Sequence, residues 1–162
     1  MTISVDALKE VMRNWTTGVA ILTSFFGEDK HGMTINSFTS VSVNPAIVVA
    51  TLANNTRTYE LLKKSNKFGV TILSVDQKEL SDRFAGKILD REDRFTGIET
   101  FTLKNASPLI VGGLGWVDCE VIKEVYLGES TLFVAEVVAS KASSGPTLLY
   151  HNRDYYRLGE KL

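Results

Sequence analysis

The segment GMTINSFTSVSVNP, residues 32–45, contains no charged residue, although charged residues make up 23% of this 162-residue chain. We call it the polar ribbon, because half of its side chains are those of Ser, Thr or Asn. Read with the two-residue period of a strand, Ile35, Val41 and Val43 share one face, and the other face is polar. That polar face consists of Thr34, Asn36, Ser40 and Ser42. Because buried polar groups need partners, such a face suits a ligand rich in carbonyl, N–H and hydroxyl groups. The alternative, that each hydroxyl only satisfies neighbouring backbone, stays open.

A second candidate site is the hexapeptide from Ala53 to Thr58, which lies where a strand ends and a helix begins. Free backbone N–H groups at a helix start, together with Thr hydroxyls and Arg57, form a cradle that suits a phosphate. Simple helix capping by Asn55 or Thr56 explains the same residues. Taken alone, the hexapeptide favours capping.

Other residues that could perform chemistry are isolated. The glycines between Gly112 and Gly115 precede a strand rather than a helix, which argues against a dinucleotide-binding loop. Cys119 lies on the apolar phase of its strand, so we interpret it as a core thiol. His31 and His151 are the only histidines, and with one cysteine they exclude a zinc site of the usual composition. The residues alone therefore indicate a polar ligand groove without an evident catalytic acid, base or nucleophile.

Composition limits the class of protein. A chain of this length, 44% hydrophobic, is expected to fold as a single domain over residues 1–162 that buries about 70% of its unfolded surface. A net charge of −1 supplies no basic footprint for nucleic acid. The N-terminal residues do not read as a signal peptide, and the longest chargeless stretch is too polar to span a membrane. With a single cysteine, the sequence predicts a cytoplasmic protein.

The hydrophobic pattern predicts many short strands and a few helices, and so an antiparallel barrel with peripheral helices. A first helix is expected after Ser4, with one face packed on the body and its end near Gly18. Two more helices are predicted, one capped by residues 54–56 and one from Lys78 to Phe84. A turn is predicted from Gly27 to Lys30, and Ala85 to Pro108 reads as a long excursion with short helical pieces that includes the charged run 90–94. The predicted strands are Val19 to Phe26, Met33 to Ile35, Phe38 to Val43, Ile47 to Leu52, Lys67 to Leu73, Gly115 to Tyr126, Thr131 to Ser140 and Tyr155 to Leu158.

Five motifs, in a fixed order over nearly the whole chain, carry a resemblance to a known family. They are Thr17-Gly18-Val19-Ala20, the polar ribbon, Ser107-Pro108-Leu109-Ile110, Asp118-Cys119-Glu120-Val121, and Thr147-Leu148-Leu149-Tyr150 before Tyr155. With them the sequence resembles the flavin reductase-like family, the small reductases that supply reduced flavin to two-component flavin monooxygenases. The reductase component of 4-hydroxyphenylacetate 3-monooxygenase belongs to this family.

The resemblance implies a mainly β fold, a split β-barrel of the Greek-key, FMN-binding type with peripheral α-helices, that forms a homodimer. It implies FMN or FAD and NADH or NADPH as cofactors, and a monooxygenase component as partner. Because hydride passes between two cofactors, no catalytic residue and no metal are expected. The polar ribbon is expected to face the flavin ring, residues 54–58 to take its phosphate, and residues 84–87 to close over it. The cofactor-binding residues implied are Thr17, Thr34, Ile35, Asn36, Ser37, Ser40, Thr51, Leu52, Ala53, Asn54, Thr56, Arg57, Thr58, Phe84, Ala85, Lys87, Ser130, His151 and Tyr155.

One departure from the family pattern concerns the nicotinamide. Members of the family often carry Gly-Asp-His where this chain has Gly128-Glu129-Ser130. The resemblance therefore leaves the usual His contact in doubt at Ser130, with His151 or Tyr155 as possible replacements. A flavin carrier or sensor without turnover is the alternative that this departure keeps open. A barrel that binds single-stranded nucleic acid is disfavoured by the near-zero net charge.

Overall fold

We describe the protein from a computed structural model, which describes residues 3–87 and 93–162. Within those residues the helices are α1 (Val5–Met12), α2 (Arg57–Ser65) and α3 (Lys78–Phe84), with a 3-10 turn at Val75–Gln77. The predicted caps are confirmed for α1 and α2. The hydroxyl of Ser4 accepts a hydrogen bond from the N–H of Ala7, and Thr56 accepts one from Tyr59. None of these helices has the length and apolar content that crossing a lipid bilayer requires.

The described residues form twelve strands, and seven of them build one antiparallel sheet. In chain order the strands are β1 (Thr17–Gly18), β2 (Ala20–Phe26), β3 (Asp29–Ile35), β4 (Thr39–Ser42), β5 (Ile47–Ala53), β6 (Lys67–Ile72), β7 (Thr100–Phe101), β8 (Leu109–Ile110), β9 (Gly115–Leu127), β10 (Ser130–Ala142), β11 (Leu148–His151) and β12 (Asp154–Arg157). The large sheet has the order β3-β2-β6-β9-β10-β5-β4, and β1, β11 and β12 form a smaller sheet. The two edge strands of the large sheet, β3 and β4, are consecutive in the chain.

The core explains why β2 begins with three consecutive apolar residues, Ala20 to Leu22. Ala20 and Leu22 on one face of β2 pack in the cluster enclosed by the large sheet, with Phe68, Phe133 and other buried side chains. Ile21 on the other face packs in a second cluster, with Phe84 of α3 and Leu148 of β11. Because β2 is covered on both faces, its sequence does not alternate. This second layer places α3 and β11 beside the polar ribbon.

The long hairpin of β9 and β10 turns at Gly128-Glu129, where Gly128 has φ +68°. The strands pair Ala135 with Val121 and Val134 with Lys123, so Ile122 is an extra residue in β9. Such a β-bulge shifts the side-chain alternation by one residue. It accounts for the loss of phase that the sequence shows after Ile122.

Two predictions about exposure are wrong. The first helix ends at Met12 rather than near Gly18, and all eight of its residues are exposed, Val11 at 65% and Leu8 at 53%. Its apolar face therefore does not pack on the body of this chain. The second is the apolar strand face that Val41 and Val43 were expected to share with the buried Ile35, because the two valines are 61% and 92% exposed. A register shift after Ser40 makes Val41 an extra residue on the edge strand β4, and Val43 follows the end of that strand.

Three smaller differences concern turns and loops. The predicted turn from Gly27 to Lys30 is only Gly27-Glu28, because β3 begins at Asp29. Asp118 alternates with the core residue Cys119 in β9, yet it is also fully buried and accepts hydrogen bonds from the N–H groups of Lys104 and Asn105 at 2.7 and 2.9 Å. The described part of the excursion between residues 85 and 108 contains turns and β7 rather than helix. The rest of it, residues 88–92, lies outside the described residues and includes most of the charged run.

Candidate functional site

The polar ribbon begins on β3, whose outer edge lies beside the predicted phosphate segment. At one end, the Ser37 hydroxyl donates to the carbonyl of Thr51 at 2.9 Å and accepts from its N–H at 3.2 Å. At the other end, Arg57 pairs with Asp29 at the start of β3. Residues 51–57 therefore run back along β3. The structure brings the two candidate sites together as one continuous band.

Helix α3 packs against the opposite side of the same strand. The Thr34 hydroxyl donates a 2.6 Å hydrogen bond to the carbonyl of Ser81. A Cβ at Gly32 would lie 2.9 Å from the Phe84 ring, so glycine at this position lets α3 approach β3 closely. This packing carries Ala85 and Lys87, which follow α3, to the end of the ribbon.

A cleft of about 190 Å³ lies at that junction, and we call it the α3 cleft. Its walls bring together six of the residues that the sequence predicted, along with Val19 and Tyr150. The six are Thr34, Ile35, Asn36, Ala85, Lys87 and Tyr155. A larger groove of about 800 Å³, the α1 groove, continues from it past Asn36, Ser37 and Thr17 to Met12 and Trp15. Asn36 borders both spaces. Its side chain is exposed and makes no hydrogen bond to any described residue, which leaves both its donor and its acceptor for a ligand.

A charged cluster holds Lys87 at the mouth of the α3 cleft. The Lys87 ammonium donates to Asp82 at 2.8 Å and lies 4.9 Å from the centre of the Tyr155 ring. The Tyr155 hydroxyl hydrogen-bonds to Ser81 at 2.9 Å and to Asp82 at 3.1 Å. Burial acts to raise the pKa of Asp82, but hydrogen bonds from Lys87, Lys78 and Tyr155 lower it below its ordinary value. The Asp82 hydrogen bond also raises the pKa of Lys87, so that both groups stay charged at neutral pH.

A second cluster of charged residues lies along the first half of β3. Arg94 donates to the carbonyl oxygens of Gly32 and Phe84 at 3.0 and 2.8 Å, and so ties β3 to the end of α3. His31 lies nearby and hydrogen-bonds to Thr58 at 2.8 Å. Burial first, and then the charges of Arg94 and Arg57, lower the pKa of His31 to about 4. Two guanidinium groups therefore lie beside a neutral imidazole, and the carboxylates of Asp29 and Asp93 lie close enough to oppose their charge.

The sequence did not single out Arg94 as a site residue. It lies at the end of a mixed-charge run and has no motif around it. Only the fold shows that its guanidinium reaches two carbonyl groups on different elements.

Several predicted residues have partners within the chain. Asn54 donates to the carbonyl of Gly128 at 3.0 Å and accepts from Thr131 at 2.7 Å, which fastens it to the β9–β10 turn. Ser130, at the predicted nicotinamide contact, pairs in the sheet with Ala53, a predicted flavin contact, so these two predicted contacts are adjacent. Thr56 caps α2, as the simpler interpretation has it. The side chains of Leu52, Thr58 and Phe84 are buried, which leaves only their backbone groups for ligand contact.

The remaining predicted residues lie outside the α3 cleft. Ser40 is exposed on β4 and pairs with Val48. His151 on β11 hydrogen-bonds to Thr16 at 2.8 Å, and only Tyr155 of the two replacements considered for the missing His lines the cleft. Cys119 is a core thiol as predicted, and burial, followed by the charge of Asp118, raises its pKa to about 12. Among the described residues no group of three His, Cys, Asp or Glu side chains could hold a metal ion.

The seven-stranded sheet with its outer layer of α3 and β11 is a split β-barrel, the fold of the solved flavin reductases to which the structure is similar. The family model described as Flavin reductase like domain matches residues 12–159. The chain belongs to this family, so the resemblance seen in the sequence is confirmed and the protein is an oxidoreductase of the flavin reductase class.

Individual relatives agree in sequence and in structure. The NADH-dependent flavin reductase StyB of Pseudomonas fluorescens is 33% identical over 152 residues, which cover 91% of this chain and 86% of that protein. The reductase component of the FADH2-dependent resorcinol hydroxylase of Rhizobium sp. is 32% identical over 150 residues, 91% of this chain and 83% of that one. The structure of flavin reductase PheA2 in its native state superposes with a TM-score of 0.90 at 33% identity, and the match covers 98% of this chain and 100% of that chain.

Proposed function

We propose that residues 1–162 form one reductase domain that passes hydride from NADH or NADPH to FMN or FAD. The observation that carries this proposal is the position of Asn36. This exposed, unpartnered amide on a chargeless strand borders the α3 cleft and the α1 groove together. A site for two planar cofactors needs such a pair of connected spaces. The relative named as an NADH-dependent flavin reductase and the one named as the reductase component of an FADH2-dependent hydroxylase support the choice of cofactors.

Different residues of the band bind different parts of the flavin. Asn36 and the backbone groups of the ribbon hydrogen-bond the polar edge of the ring, and Arg57 and Arg94 attract its phosphate. Tyr155 and Lys87 line the opposite wall of the α3 cleft and limit the access of water. Hydride transfer itself is chemistry that the two bound cofactors supply. No side chain has to gain or lose a proton in this scheme, which agrees with the lack of a catalytic acid or base in the sequence.

The exposed apolar face of α1 supports a homodimer as the second part of the proposal. Met12 and Trp15 are 52% and 67% exposed, yet they also line the groove that continues to Asn36 and Ser37. A second copy of the chain that covers this face removes apolar surface from water and closes the end of the groove. Delivery of reduced flavin to a separate monooxygenase component in the cytoplasm completes the proposal. The relative named as a hydroxylase reductase component supports that delivery.

A flavin carrier without turnover is the second candidate, and Ser130 favours it. A serine at the usual His position offers no ring to contact a nicotinamide, while the flavin contacts along β3 stay intact. The decisive assay is oxidation of NADH and NADPH at 340 nm by the purified protein, with FMN, with FAD and without flavin. Oxidation that depends on added flavin supports the reductase. A protein that binds flavin but oxidises neither nucleotide is a carrier.

A further inference from the structure

We propose that a basic pocket at the C-terminal end of α1 binds the phosphate groups of the nicotinamide dinucleotide. This inference rests on the proposed reductase function and assigns a site to the part of the substrate farthest from the reacting ring. The pocket has a volume of about 220 Å³. It is lined by Lys9, Arg13, Asn36, Tyr150, Asn152 and Arg153, and also by Met12 and Trp15, so it lies beside the face that the proposed second copy covers.

The pocket is positively charged. Lys9, Arg13 and Arg153 contribute three cationic groups, and no acidic side chain among the described residues lines it. The one ion pair of these three within the described residues joins Lys9 to Asp6 at 3.8 Å, and the Asp6 side chain is 97% exposed. The end of α1 brings only about half a negative charge, so the positive charge dominates. A phosphate is the anion that such a cluster of guanidinium and ammonium groups suits best.

The backbone at Arg153 gives a second, independent indication. Asn152 and Arg153 form the turn between β11 and β12 with φ angles of +46° and +70°. Glycine is the residue preferred at the second position of such a turn, and a long side chain is uncommon there. The chain therefore keeps an arginine where glycine is easier to accommodate. A strained residue that faces a pocket is a common sign of a binding role.

The pocket is also fixed in place and connected to the flavin site. The N–H of Asn152 donates to the carbonyl of Arg13 at 3.0 Å, which joins the two sides of the pocket. Asn36 and Tyr150 line both this pocket and the α3 cleft. A dinucleotide whose nicotinamide reaches the α3 cleft can therefore extend its phosphates towards Arg13 and Arg153. Arg157, at the opposite end of β12, does not line the pocket and is excluded from this role.

Calorimetric titration of the flavin-free protein with ADP-ribose tests the site without any turnover. Arg153→Asn is the main variant, because asparagine tolerates the positive φ and the loss of charge does not endanger the turn. We expect roughly tenfold weaker binding for Arg153→Asn and for Arg13→Gln, and a smaller difference at high salt. Arg157→Gln is the matched control and keeps the wild-type affinity. Equal affinity in all four proteins would overturn the proposal.

Two further titrations identify which phosphate the pocket holds. If Arg153→Asn weakens the binding of ADP-ribose 2′-phosphate more than the binding of ADP-ribose, the pocket holds the 2′-phosphate of NADPH. If it weakens the binding of both ligands equally, the pocket holds the diphosphate. If the variant weakens the binding of FMN but not of ADP-ribose, the pocket binds the flavin and the proposal is wrong. Failure of the wild-type protein to oxidise NADH or NADPH at 340 nm contradicts the proposed function, whatever these titrations give.

Discussion

The hydroxyl of Thr34 donates a 2.6 Å hydrogen bond to the carbonyl of Ser81, and this bond joins the polar ribbon to helix α3. The ribbon forms one wall of the α3 cleft, and the residues after α3 form the other. The bond therefore sets the width of the cleft as well as contributing to stability. Its removal should affect both.

Thr34→Val keeps the shape of the side chain and removes the bond. We expect a loss of about 1 kcal/mol in the free energy of unfolding, because the carbonyl of Ser81 loses one of two hydrogen bonds and keeps only the one from the N–H of Ala85. Flavin affinity should fall as well, since α3 is no longer fixed to the ribbon. Chemical denaturation and a flavin titration measure the two effects. The exposed Thr39, whose hydroxyl makes only a 3.4 Å contact, provides the control Thr39→Val, with no expected loss of stability.

Acid should destabilise the protein through His31. Its pKa is about 4 in the folded protein and 6.5 in a model peptide. Between these values the unfolded state binds a proton that the folded state does not bind, so stability falls as the pH is lowered from 6.5 to 4. In His31→Gln that part of the pH dependence should disappear. Urea unfolding at pH 7, 5.5 and 4.5 measures it.

His151→Gln is the control for the acid experiment, because that ring lies by Thr16, away from Arg57 and Arg94. This control should keep the wild-type loss of stability. The explanation is wrong if wild type and His31→Gln lose stability in parallel over this range.

The assembly should depend on α1. Val11→Glu places a charge in the middle of the apolar face, where burial of an unpaired carboxylate costs about 3 kcal/mol or more. We expect a homodimer for the wild type and a monomer for this variant at the same concentration in analytical ultracentrifugation. Ile122→Glu changes a residue of similar exposure, 57% against 65%, on the β9–β10 hairpin and should remain dimeric. A wild-type monomer would contradict the proposed interface.

Local patterns in the sequence predicted most of the fold. Short apolar runs between turn residues located β2, β5 and β6, alternation located β9, and caps located the starts of α1 and α2, because each of these signals acts within a few residues. The bulge at Ile122 was also visible as a break in alternation. The split barrel itself came from the family resemblance, since alternation does not specify the order of strands.

The errors have a common physical origin in contacts between distant parts of the chain. Asp118 is buried because residues 104 and 105 fold over it, which its own strand does not reveal. The apolar stripe of α1 indicates a surface that packs against other residues, but it does not reveal that no described residue of this chain covers it. Arg94 acquires its position only when β3 and α3 meet. The ribbon residues, by contrast, indicated a candidate site from the sequence alone, because a run of polar residues without charge is unusual in a strand.

The measurement that tests the central claim most directly is a titration of the flavin-free protein and of Asn36→Ala with FMN and FAD. If the ribbon holds the flavin, the wild type binds, and Asn36→Ala binds more weakly by about 1–3 kcal/mol, because a polar group of the ligand loses its partner. Asn14→Ala, which changes an exposed asparagine outside the clefts, should bind like the wild type. Equal affinity of all three proteins for both flavins would contradict the assignment of the ribbon as the flavin site.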